Sequence, residues 1–169
     1  MLNFLIVWHS RTTASQQLAL AAYKAAQNCL HELQATSDIQ VHCLAVDQVQ
    51  LNQVLAAQAY LFCAPENLGS LSGECKAFFD RFYYGALDQI NGRIYGALIS
   101  AGSDGQGAAR QLERICTGWR LQAIQKPIII HTQAQTPEQI LAPKTLSSTQ
   151  LQTARDLGAL LAARLALAL

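Results

Sequence analysis

The feature that most constrains the fold is an alternation of short apolar runs with longer amphipathic stretches. The first run, residues 3–8, is continuous and rich in β-branched and aromatic residues, as is typical of a strand buried on both faces. From Ala14 onward, apolar residues recur at steps of three and four, which predicts an amphipathic helix. Strand–helix alternation of this kind predicts an α/β fold with a parallel sheet covered by helices on both faces.

The same alternation continues along the chain and predicts five strands joined by helices. The strands are predicted over residues 3–8, 39–46, 59–64, 94–100 and 127–131, with Pro65 ending the third. The later helices are predicted over residues 48–58 (with Asp47 as N-cap), 73–87, 108–117 and 148–167. Residues 132–147 are interpreted as a surface loop, and residues 1–169 are expected to form one domain.

Composition excludes several classes of protein. The net charge of +1 provides no basic footprint for nucleic acid or for an anionic membrane. The most apolar stretch, residues 157–169, contains Arg164 and is too short to span a bilayer, and the first residues lack the features of a signal peptide. The five cysteines are odd in number and widely spaced, without metal-ligand spacing, so we expect free thiols, no metal site and a cytoplasmic location.

The loop after the first strand combines hydroxyl groups with a cation. Residues 9–15 read His-Ser-Arg-Thr-Thr-Ala-Ser, and they lead directly into the first predicted helix. Backbone N–H groups at a helix N-terminus favour an anion, and hydroxyl and guanidinium groups would add donors to a phosphate. An ordinary hydroxyl-capped helix with a solvated arginine explains the loop equally well. The loop contains neither a Walker A sequence nor G-x-G-x-x-G, which disfavours P-loop and Rossmann nucleotide binding.

Two further loops, residues 65–73 and 101–107, follow the third and fourth predicted strands. Both are rich in glycine and small polar residues, which would let the backbone approach a flat ligand closely. Ordinary polar turns remain an alternative for each. In parallel sheets, ligands bind beyond the carboxyl ends of the strands where the strand order reverses, so these loops are the places to look for a site.

Together the loops resemble those of the flavodoxin-like superfamily, in the branch of the NAD(P)H-dependent FMN reductases and quinone reductases. Residues 65–80 are similar to the pattern Pro-Glu-x-x-Gly-Ser-x-x-Gly followed by a helix with Lys and Asp. The resemblance covers nearly the whole chain. It implies a three-layer sandwich whose five-stranded parallel sheet has the order 2-1-3-4-5.

The resemblance also implies a binding site for FMN. The FMN phosphate would lie in the first loop, and the isoalloxazine ring would lie between the second and third loops. The implied phosphate-binding residues are Ser10, Arg11, Thr12, Thr13, Ala14 and Ser15. Those implied for the ring are Pro65, Glu66, Asn67, Leu68 and Gly69 on one side and Gly102, Ser103 and Asp104 on the other.

Two departures from the family pattern, and one contrast with electron carriers, bear on function. Thr13 stands where flavodoxin-type loops usually place glycine, and Asn67-Leu68 replaces the Tyr-Asn pair of many FMN reductases. The second and third loops contain no aromatic residue, whereas electron-carrier flavodoxins typically sandwich the flavin between aromatics and are strongly acidic. The near-neutral charge and the absent aromatics therefore favour an enzyme with an open flavin face over an electron carrier.

The expected function is an FMN-dependent oxidoreductase. It would transfer hydride from the co-substrate NAD(P)H to a quinone, a flavin or a similar small acceptor, with the flavin carrying the chemistry and no catalytic side chain required. The alternative is an electron carrier, or a flavodoxin-fold binding protein with weak or no FMN binding. The apolar residues of the last helix, which include Leu157, Leu160, Leu161, Leu165 and Leu167, predict a homo-oligomer, unless all of them pack on the sheet.

Overall fold

A central strand, β1 (Leu2–Trp8), is paired on both sides with parallel strands in the computed structural model, which describes residues 1–168. The other strands are β2 (Ile39–Ala45), β3 (Ala59–Asn67), β4 (Ser70–Leu71), β5 (Ile94–Ala101), β6 (Gln122–Ala123) and β7 (Ile128–His131). The helices are α1 (Ala14–Glu32), α2 (Leu51–Ala56), α3 (Gly73–Ala86), α4 (Gln106–Gly118), α5 (Pro137–Leu141) and α6 (Ser148–Ala166). No helix within residues 1–168 is both long and apolar enough to cross a membrane.

The sheet has the predicted parallel topology with two additions. Its order is β2-β1-β3-β5-β6, and β7 pairs in parallel with the later half of β5. The predicted order 2-1-3-4-5 is therefore confirmed for the main strands, with β7 as the fifth. The additions are the two-residue strands β6 and β4, and β4 forms an antiparallel hairpin with the end of β3.

Helices cover both faces of the sheet, as β1 shows residue by residue. Leu5 and Val7 point into a core that also contains side chains of α2, α3 and α4. Phe4 and Ile6 point into the opposite core, which they share with α1 and α6. All four side chains are buried, because alternate residues of a strand face opposite sides of the sheet.

Two predicted boundaries are wrong. Pro65 does not end β3, which continues to Asn67. The pairing of β3 with β1 stops at Cys63, so Pro65 lies beyond that ladder. The N–H group that proline lacks is therefore not needed for a hydrogen bond to β1, and the strand can continue. Asp47 does not cap the second helix, since Gln50 caps α2 through a reciprocal pair of hydrogen bonds with Gln53.

The last helix combines buried and exposed leucines. Leu157, Leu161 and Leu165 are buried in the core shared with α1. Leu160 and Leu167 are exposed. Packing on the sheet thus accounts for three of the five leucines, and the predicted contact with a second copy stays a prediction for the other two.

Candidate functional site

The carboxyl ends of β1, β3 and β5 open into one cleft of about 490 Å³. That volume is within the range of small-molecule sites. The three loops singled out in the sequence meet there, and the segment after β7 adds a further side. The lining residues are Thr12, Ala14, Pro65, Glu66, Asn67, Leu68, Ser100, Ala101, Gly102, Ser103, Asp104, Thr132, Ala134, Ile140 and Lys144.

The first loop contains backbone donors without acceptors, and two of its residues, Thr12 and Ala14, line the cleft. Among the described residues, the N–H groups of residues 10–16 have no hydrogen-bond acceptor, and the first main-chain bond of α1 runs from Gln17 N to Thr13 O. Ala14 and Ser15 are themselves buried. Buried N–H groups ordinarily have acceptors, so this loop is suited to an anionic ligand.

Thr13 adopts the conformation that glycine favours. Its φ of 69° is in the left-handed region, which is uncommon for a β-branched residue. Thr13 therefore holds a backbone conformation that a glycine at this position would adopt more readily.

The Thr13 side chain ties the first loop to the segment after β7, which we call the strap (residues 132–147). Thr13 Oγ1 donates to the carbonyl oxygen of Lys144 at 3.0 Å, and Gln17 Nε2 donates to the same oxygen at 2.7 Å. Lys144 N in turn donates to Thr12 O at 2.8 Å. The first loop and the strap thus form one hydrogen-bonded unit.

The other predicted phosphate residues face elsewhere. Arg11 pairs with Glu74 of α3 at 3.1 Å, and the Ser15 hydroxyl lies 2.8 Å from that of Ser100 in the interior. Ser10 lines a neighbouring cleft, with His9 and Glu74. Of the six predicted residues, only Thr12 and Ala14 line the main cleft.

In the second loop, the Glu66 side chain supports a helix. Its Oε1 accepts a hydrogen bond from Gly105 N at 2.8 Å, and its Oε2 accepts one from Ala108 N at 3.1 Å. These bonds satisfy two backbone donors at the start of α4, where a carboxylate also complements the helix dipole. Glu66 therefore joins the second loop to the third.

The tip of the β3–β4 hairpin is a tight turn beside the cleft. Both central residues, Leu68 and Gly69, have positive φ (51° and 74°), as in the type I′ turns that suit twisted hairpins. Gly107 of α4 packs against Gly69, so closely that a Cβ at position 107 would overlap the Gly69 carbonyl oxygen. Leu68 is fully exposed, and Gly69 does not line the cleft.

The third loop lies against the strap. A Cβ on Gly102 would come within 2.6 Å of Ala134 O, which explains why glycine is found there. Gln133 N donates to Gly102 O at 2.9 Å, and Thr132 N donates to Ala101 O at 2.8 Å. Ser103 and Asp104 are exposed on the cleft.

His9, at the end of β1, is held between α3 and the first loop. Its Nδ1 lies 2.9 Å from Ser72 Oγ, and its Nε2 lies 3.8 Å from Glu74 Oε1. Burial lowers the pKa of His9 below its usual value of 6.5, and nearby Arg11 lowers it further, whereas Glu74 opposes the shift. The imidazole is therefore held in its neutral form.

Sequence reasoning missed the strap residues of the cleft, which are Thr132, Ala134, Ile140 and Lys144. One local signal was available. Thr136 and Gln139 cap α5 reciprocally, and Pro137 occupies its first turn, the pattern that marks a helix start. Nothing local indicated that the strap returns to the first loop.

A family model described as NADPH-dependent FMN reductase matches residues 15–135, more than two thirds of the chain. No curated protein gives a match.

Solved structures show the same fold at low sequence identity. A flavodoxin from Archaea has a TM-score of 0.74 at 14% identity, with 96% of this chain and 98% of its own covered. A WrbA-like flavodoxin from Agrobacterium tumefaciens has a TM-score of 0.65 at 19% identity, with 98% of both chains covered. The Flv1 flavodiiron core from Synechocystis has a TM-score of 0.74 at 14% identity, and the match covers 99% of this chain but 37% of that core.

His9 predicts a specific pH dependence of stability. Because its pKa is lowered on folding, the unfolded chain binds more protons than the folded chain at mildly acidic pH. The contribution of His9 to the free energy of unfolding should be complete above pH 6.5 and decline as the pH falls below it. Urea denaturation between pH 5 and 8 should show a smaller slope for His9→Gln than for the unmodified protein.

The matched control is His31→Gln, an exposed substitution near the end of α1. It removes the same residue type without changing the contacts of His9, so it provides the reference slope. If His9→Gln and the unmodified protein lose stability in parallel on acidification, the assigned burial effect is wrong.

Proposed function

Because this chain belongs to the NADPH-dependent FMN reductase family, we propose that it binds FMN in the main cleft and transfers hydride from NAD(P)H to a quinone, a free flavin or a similar small acceptor. The family establishes the flavoprotein oxidoreductase class. The position of FMN, the hydride donor and the acceptor are the parts that we propose. The observation that carries the proposal is the single cleft that joins the three loops, because the first of these loops also has unpaired backbone donors.

The donors of the first loop fit a phosphate group. The unpaired N–H groups of residues 10–16 stand at the N-terminus of the 19-residue helix α1, whose dipole favours an anion. The Thr12 hydroxyl would add a donor from the cleft wall. Arg11 is three-quarters exposed, so its guanidinium could also reach a phosphate while remaining near Glu74.

The remainder of the cleft fits a flat ring with a polar edge. Pro65, Leu68 and Ile140 offer apolar surface, whereas Asn67 and Ser103 offer an amide and a hydroxyl. Glu66 would act indirectly, because both of its carboxylate oxygens already accept hydrogen bonds from α4. It would hold the second and third loops at a fixed separation around the ring.

When bound, FMN would supply the redox chemistry by taking two electrons from NAD(P)H and passing them to an acceptor. The protein would supply position and access. None of the side chains that line the cleft is aromatic, so no stacked ring would block a planar substrate. Two such substrates could therefore use the same space in turn.

The alternative is an electron carrier, or a binding protein with weak affinity for FMN. The side chain of Thr13, at a position where flavodoxin-type loops usually place glycine, is the observation that favours weak binding. A cytoplasmic location and self-association remain predictions.

Removing a hydroxyl group from the first loop should weaken FMN binding. We expect Thr12→Ala, which removes the one loop hydroxyl that lines the main cleft, to lose roughly 1–3 kcal/mol of binding free energy, the scale of a lost hydrogen bond to a charged group. Quenching of FMN fluorescence gives the dissociation constant. Thr149→Ala removes the same residue type from an exposed position outside the cleft and should bind FMN normally. Equal affinity of both variants would count against the assignment.

The proposed activity can be measured with FMN-loaded protein, using NADH or NADPH as donor and a quinone, free FMN or a dye as acceptor. We expect the FMN-loaded protein to oxidise the nucleotide faster than free FMN in solution does. Because both substrates would occupy one space in turn, double-reciprocal plots should give parallel lines. If FMN binds but neither nucleotide reduces it faster than in solution, the enzyme assignment fails and the electron-carrier alternative replaces it.

A further inference from the structure

The strap places one large apolar side chain in the main cleft. Ile140 lies on α5 and lines the cleft with 52% of its surface exposed. The next residue, Leu141, is 78% exposed but does not line the cleft. The two neighbours therefore differ in whether they face the candidate flavin site.

The strap is fixed at both ends, so Ile140 has a defined position. Near its start, Gln133 N is bonded to Gly102 O of the third loop. Near its end, the main chain of Lys144 is bonded to the first loop through Thr12 and Thr13. The strap thus runs along the cleft from the third loop to the first.

Lys144 also stabilises α5, a helix of only five residues. Its Nζ donates to the carbonyl oxygens of Gln139 at 2.6 Å, Ile140 at 3.0 Å and Ala142 at 2.6 Å. These bonds satisfy acceptors that the end of a helix leaves free. All three of its ammonium protons are donated there, so Lys144 has no further proton to donate to a ligand.

The strap and the β3–β4 hairpin belong to opposite layers of the fold. Leu71, which follows the hairpin turn, is buried in the core that includes α3 and α4. Leu146, at the end of the strap, is buried in the core of α1 and α6. Leu68 and Ile140 both line the cleft, each from a segment anchored in a different core, and both are exposed.

We infer that the strap forms the second wall of the flavin site and that Ile140 packs against a face of the isoalloxazine ring. The inference rests on the proposed function. A flat apolar ring between the two layers would bury the exposed surface of Ile140, which otherwise remains in water at a cost in free energy. The part of the ring that Ile140 does not cover would be left for NAD(P)H and then for the acceptor. Ile140 is thus a positioning residue supplied by the same chain.

The test compares Ile140→Ala with the matched control Leu141→Ala. Both positions are exposed on α5, so neither variant should disturb folding, and far-UV circular dichroism checks this. Fluorescence quenching should give an FMN dissociation constant roughly tenfold higher for Ile140→Ala, from the loss of buried apolar area. Leu141→Ala and the conservative Ile140→Val should bind FMN as tightly as the unmodified protein, within about twofold.

A second readout follows the strap itself. Trypsin can cleave after Lys144, and FMN packed on the strap should slow that cleavage in the unmodified protein but less so in Ile140→Ala. The exposed Lys24 of α1 provides an internal reference whose cleavage FMN should not change.

The outcomes separate the inference from the function on which it rests. If the unmodified protein binds FMN while Ile140→Ala binds it equally well and cleavage after Lys144 is unaffected, the strap is not a flavin wall. That result leaves the proposed function intact. If Ile140→Ala changes the mass of the protein in solution, measured by light scattering, but does not change the FMN affinity, Ile140 contacts a second copy. The inference is then wrong. Failure of the unmodified protein to bind FMN would overturn both.

Discussion

The position of β1 determines where a ligand site can form. Its side chains are buried on both faces, which requires a helix layer on each side of the sheet. After β1 the chain crosses to β2 along the face of α1, whereas after β3 it crosses to β5 along the face of α3. The two connections diverge in opposite directions, so a gap opens at the carboxyl ends of these neighbouring strands. The main cleft lies at that gap.

Thr13 connects this general feature of the fold to the particular shape of the site. A left-handed conformation at a non-glycine residue costs about 1–3 kcal/mol. Glycine would avoid that cost but would provide no hydroxyl for Lys144 and Gln17. Each such hydrogen bond contributes about 0.5–1.5 kcal/mol, so the network is large enough to offset the strain. We interpret Thr13 as a residue whose backbone is strained but whose side-chain hydrogen bonds offset that strain and fix the strap.

The sequence predicts the sheet well because the strand signals are local. The apolar runs at residues 3–8 and 94–100 needed no knowledge of their partners, and both are strands. Pro65 was misjudged because its effect depends on where the pairing with β1 ends, which is a property of the assembled sheet.

The site was predicted less completely. The family resemblance located the three loops, and the structure brings them to one cleft. It did not reveal that Glu66 caps α4, because that contact joins residues 39 and 42 positions apart. The strap was missed for the same reason: Thr13 and Lys144 are 131 positions apart, and no periodic pattern in residues 132–147 points back to the first loop.

The phosphate group is what the first loop would recognise, and riboflavin is FMN without that group. The most direct measurement is therefore the ratio of the dissociation constants of FMN and riboflavin, obtained by fluorescence quenching under identical conditions. FMN should bind at least roughly 100-fold more tightly, since hydrogen bonds to a charged group contribute about 1.5–3 kcal/mol each. Equal affinities for the two flavins would contradict a phosphate site at the N-terminus of α1.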